Sequence, residues 1–179
     1  MDDNIENVAA LLNSVLRYSS QLADSFSNYA LIVKKMPVGM IDNLLSLNST
    51  TATVKQLLTL IDPHFKEAAL FTPEAEQYIT ILAKECATTL AKIQQAIEGA
   101  CLEHKERKAL QRRRQKAAKK VDAGTLVLDE KEFMEKLEGT NWGVAQDDLD
   151  VPSERLIDIQ LHLLLVFQVG TVGTLGRKL

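Results

Sequence analysis

The chain has 179 residues, 46% of them apolar and only 5% aromatic. That length and apolar content suit one packed domain, and a core of Leu, Ala and Ile argues for helices and against a sheet protein. A formal net charge of −3, with a pI near 5.7, excludes a domain that is basic throughout.

The first helix is predicted over about 2–35. Ile5, Val8, Leu12, Val15, Ser19, Leu22, Phe26, Tyr29 and Val33 recur at steps of three and four over four heptads, the pattern of a long helix packed lengthwise. Asp2 and Asp3 suit its positive dipole end, and Pro37 closes it. Spare apolar flanks such as Leu11, Leu16 and Leu31 could serve a second copy. A second seam of Met40, Leu44, Leu47, Thr51, Val54, Leu58 and Ile61 predicts a helix over 38–62. Its middle, Asn48–Thr53, has poor helix propensity, so a weak or kinked segment is expected there. Asp62 and Pro63 stop it, and residues 62–71 form a loop with an apolar plug of Phe65, Leu70 and Phe71.

Thr72, Pro73 and Glu74 are a helix start: a capping hydroxyl, a first-turn proline and an acid. Ala75, Tyr78, Leu82, Cys86, Leu90, Ile93, Ile97 and Ala100 line one face. After Leu102 the apolar pattern fades but nothing breaks the helix, and Gly124 is the first plausible stop. A helix over 73–121 would run about 73 Å, so its basic end should project from helices nearer to about 45 Å. A short helix is expected over 130–138, capped by Asp129 and turned inward by Phe133, Met134 and Leu137. Trp142 then falls in a loop, as an anchor over the bundle end. The last helix is placed at 152–174, opened by Pro152. Apolar residues occupy nearly every face of it, which predicts the innermost position. The whole is read as all-α: a four-helix bundle in a single domain, 1–179, with a basic helical extension at about 103–121.

Signals for catalysis are scarce. His64, His104 and His162 lack partners at metal-ligand spacing, and no phosphate-cradling glycine loop follows a strand. Asp147, Asp148 and Asp150 read as a solvated loop. No cofactor, metal or small-molecule substrate is expected, and the chain is read as a non-enzyme. Cys86 and Cys101, about 22 Å apart on one helix, are too distant to bridge and read as free thiols in a reducing compartment. MDDNIENV is no signal peptide. The run Ile159–Val169, interrupted by Gln160, His162 and Gln168, is read as too short and polar to span a membrane. A cytoplasmic location is expected, with a nuclear one open.

Charge is segregated along the chain. Residues 104–120, HKERKALQRRRQKAAKK, hold nine of the 21 Lys/Arg and one of the 24 acids. The candidate anion-binding residues are Lys105, Arg107, Lys108, Arg112, Arg113, Arg114, Lys116, Lys119 and Lys120. Three readings stay open: a helix end solvated or neutralised by the acids of 129–158, an anionic membrane surface, or nucleic acid. Nucleic acid is the least favoured, because no aromatic residue is interleaved for base stacking.

The segments LLNSVLRYSSQLADSF, AKECATTLAKIQQAI and ERLIDIQLHLLLVFQVGTV, with the lone Trp142 before the last, resemble the helical N-terminal domains of fungal NLR-like (STAND) and ankyrin-repeat proteins, including the HeLo-like group. The resemblance implies a non-catalytic signalling or adaptor module acting through helix–helix contacts or at membranes. It lacks the apolar, glycine-bearing N-terminus of the membrane-attacking members.

Overall fold

The computed structural model describes residues 2–61, 71–102, 106, 108–110, 112–113 and 126–176. Phe65, Leu70 and most of the loop assigned to 62–71 lie outside these residues. All described regular structure is helical: α1 (Asp2–Ile32), α2 (Met40–Ile61), α3 (Pro73–Ala100), α4 (Glu130–Gly139) and α5 (Trp142–Gly176), with residues 106, 108–110 and 112–113 helical as well. The all-α helical bundle expected from the seams is what forms.

Local chemistry sets several boundaries. α1 buries Val8, Leu12, Val15, Tyr18, Leu22, Phe26 and Tyr29 on one face. Leu11 and Leu16, expected as spare flanks, instead pack partly buried against the core. Gly39 enters α2 at φ 79°, a left-handed conformation that disfavours any side chain. Thr72 caps α3 through its hydroxyl, which accepts from Ala75 N at 3.3 Å. Beside it, its own backbone N–H and then the Thr72 hydroxyl hold the Glu74 carboxyl below its usual value. Asp129 caps α4 by accepting from Glu132 N at 3.0 Å. Each cap contributes about 1 kcal/mol.

α2 stays helical through Asn48–Thr53, contrary to the weak segment expected. The hydroxyls of Thr51 and Thr53 donate back to the Leu47 and Ser49 carbonyls at 2.8 and 2.9 Å, so they need no competing turn. Its buried face is also rotated from the apolar seam. Asn43, Ser46, Thr50 and Thr53 are buried while Leu44 and Leu58 are only half-buried, because α2 is flanked by both α1 and α5.

Side-chain pairs fix the topology. The Thr51 and Ser19 hydroxyls lie 2.9 Å apart, joining α1 and α2 as an antiparallel hairpin. Ser153 bonds Asn43 at 2.6 Å near the start of α2, and Gly170 meets Leu60 near its end, so α5 runs parallel to α2. Arg155 bridges Glu85 at 2.6 Å and His162 lies edge-on to Tyr78, so α5 is antiparallel to α3. Tyr18 donates to Gln94 across α1 and α3. The order around the bundle is therefore α1, α2, α5, α3, and the consecutive helices α2 and α3 sit diagonally. α4 covers α1 and α3 at one end, with Phe133 6.1 Å from Phe26.

Three sequence expectations need correction. α3 ends at Ala100, not near 121, so the basic stretch is not a projecting end of that helix. Cys101 Sγ donates to the Lys136 carbonyl at 2.8 Å, and Asn141 N donates to Ala100 O at 3.2 Å. These contacts turn the chain just after Gly99, whose carbonyl accepts from the N–H of Cys101 and Leu102. α5 begins at Trp142 and carries Pro152 inside it. A seam of Ala145, Leu149, Leu156, Ile159 and Leu163 is buried on both sides of that proline, and burying it outweighs the lost backbone bond. Asp147, Asp148 and Asp150 are therefore helical, not in a loop. Finally, α5 is not innermost. It occupies one corner, and Ile157, Leu161, Leu165, Val169 and Val172 are exposed.

Candidate functional site

One end of the bundle collects the cationic and exposed apolar features. The end of α1, the start of α2, the end of α3 and the start of α5 meet there: Trp142 stacks on Tyr29, Asn141 bonds Ala100, and Gly39 lies against Gln146. The corner joining α1 and α2 is apolar on its outside. Leu31 is 84% exposed and Val38 75%, with Ile32, Ile41 and Leu45 also exposed. Lys34 and Lys35 stand exposed between them. No acid occurs from Ser25 to Ile41, and Asp42 then opens α2.

The basic stretch continues from α3 at that same end. Of its candidates, Lys108, Arg112 and Arg113 are helical and exposed. None of the three makes an ion pair with another described residue. Lys105, Arg107, Arg114, Lys116, Lys119 and Lys120 lie outside the described residues. The acids of α4, among them Glu130, Glu132, Glu135 and Glu138, are exposed. Glu130 accepts from Gln21 at 3.1 Å.

Two titratable groups inside the bundle are held neutral chiefly by burial. Burial pushes the Cys86 thiol up to about 12. Burial, then the Glu98 charge, raises Tyr18 well above the usual phenol value. Among the described residues no three His, Cys, Asp or Glu gather as a metal cluster. His162 is exposed, with Nδ1 2.8 Å from the Asp158 carbonyl oxygen.

Sequence reasoning missed two surfaces. Of the α1–α2 corner, Leu31 is the spare flank expected from the sequence, whereas Ile32 and the Lys pair beside it, with no nearby acid, were missed. The outer face of α5 was misread as core. An 18-residue window within Trp142–Gly173 of α5 reaches a mean hydropathy of 1.6, enough by length and composition alone to cross a membrane. No family model matches this sequence, and neither a search of curated proteins nor one of solved structures finds a match.

Proposed function

We propose that this chain is a non-catalytic helical interaction domain, of the signalling or adaptor kind implied by its sequence resemblance, that docks on an anionic membrane surface. The α1–α2 corner carries this reading: exposed Leu31, Ile32, Val38 and Ile41 surround exposed Lys34 and Lys35. Aliphatic side chains enter the headgroup boundary, while each nearby Lys or Arg adds roughly 1 kcal/mol on an anionic leaflet. The basic stretch leaving the same end, with Arg112 and Arg113 exposed, adds the long-range attraction. Nucleic acid would engage the same cations and make no use of the aliphatic corner.

Flotation with phosphatidylserine-containing vesicles, against phosphatidylcholine alone, tests this. The wild-type chain should float with the anionic vesicles only. Arg112→Ala/Arg113→Ala/Arg114→Ala and Leu31→Ser/Val38→Ser should each reduce flotation several-fold. Equal flotation of all three proteins sinks the proposal. A low-salt gel shift abolished by the arginine variant, without vesicle binding, would assign the stretch to nucleic acid.

A further inference from the structure

The outer face of α5 breaks the usual pattern of a bundle helix. Ile157, Leu161, Leu165 and Val169 follow each other at steps of four, pointing away from buried Leu156, Ile159 and Leu163. They are between 44% and 63% exposed, and Val172 beside them 68%. Over Ile159–Gly176 the helix has no Asp, Glu, Lys or Arg. A contiguous aliphatic row of this length marks a contact surface.

We infer that this row pairs antiparallel with the same row of a second copy, about a two-fold axis at Leu165. Three features select that occupant. The row is self-complementary: the axis places Leu161 against Val169 and Ile157 against Gly173, and no atom lies within 4 Å of where a Gly173 side chain would begin. The bulkiest end of one row therefore meets the open end of the other, and every contact is made twice. Charge sets the direction. Glu154 and Asp158 stand exposed at one end only, so parallel pairing would juxtapose four carboxylates and antiparallel pairing separates them. The same two acids disfavour an anionic lipid surface here. The face is thus distinct from the cationic corner and independent of what that corner binds.

Sedimentation of the full chain, from low to high micromolar concentration, should show a species of twice 19.9 kDa. Leu161→Glu/Leu165→Glu should be monomeric at the same concentrations with an unchanged far-ultraviolet circular dichroism spectrum. Oxidative cross-linking in a Cys101→Ser background tests the geometry with gentler changes. Leu165→Cys alone should form a disulfide-linked dimer, as should Leu161→Cys mixed with Val169→Cys, while Leu161→Cys alone should not. A wild-type monomer throughout overturns the inference. So does a dimer indifferent to the Glu pair, or self-linking of Leu161→Cys as efficient as that of Leu165→Cys. A monomer whose vesicle flotation is abolished by the Glu pair would assign the face to lipid and equally overturn it.

Discussion

The indole Nε1 of Trp142 donates to the Tyr29 hydroxyl at 3.2 Å, and the two rings stack with centroids 5.8 Å apart. Phe26 meets the same indole edge-on at 6.3 Å. This aromatic set joins α1 to α5, which lie diagonally across the bundle, at the end where the cationic corner stands.

Removing the indole should therefore cost far more than removing the bond. Trp142→Ala should lower stability by about 3 kcal/mol, through lost packing and a cavity. Tyr29→Phe keeps the ring and should cost about 1 kcal/mol. Urea unfolding followed by circular dichroism measures both. Equal costs would show that the stack anchors nothing.

Thr50 is fully buried, and its hydroxyl has no hydrogen-bond partner among the described residues. Its neighbours Thr51 and Thr53 both bond back onto α2. Thr50→Val keeps the shape and removes the orphaned group, so it should raise stability by about 1 kcal/mol. The urea midpoint should rise with an unchanged slope. A fall would mean that the hydroxyl is satisfied.

Two buried acids of weak strength predict alkaline sensitivity. Cys86 rises from 9.0 to about 12 on folding, and Tyr18 rises from 10.0. Both are held neutral in the bundle and ionise more readily when unfolded. Their stabilisation is complete below pH 9 and is lost as the pH climbs from there through the folded values. The melting temperature should fall increasingly steeply above pH 9, and Cys86→Ala should make that fall shallower. At pH 8 an alkylating reagent should label half-buried Cys101 before Cys86. Rapid labelling of Cys86 in the folded chain would contradict its enclosure.

Where backbone start signals and apolar periodicity agree, the fold was readable in advance. Thr72 with Pro73, Asp129, and the Val8–Tyr29 seam all gave elements at the right place. Where a boundary depends on tertiary contact, it was not. The residues after Leu102 are good helix formers, but Gly99 accepts the capping bonds from Cys101 and Leu102, and bonds from Asn141 and to Lys136 hold the turn there. Pro152 imitated a helix start because its burial in the middle of α5 is a property of the assembled bundle. The basic stretch was visible as charge. Of the α1–α2 corner only Leu31 stood out, as a spare flank of the first seam, since exposure alone distinguishes Ile32, Val38 and Ile41 from core residues. An all-round apolar α5 carried the same ambiguity, because sequence does not say whether an outer face meets its own chain or another.

The parallel neighbours α2 and α5 meet through Asn43 and Ser153, 110 residues apart. During synthesis the helix that closes the flanks of both α2 and α3 is the last to emerge. At ordinary translation rates the α1–α2 hairpin would wait roughly 6–20 s for it, its inner aliphatic side chains unshielded. Ribosome stalling ahead of Trp142 should thus leave a nascent chain that recruits chaperones and is readily degraded, whereas the released chain should not.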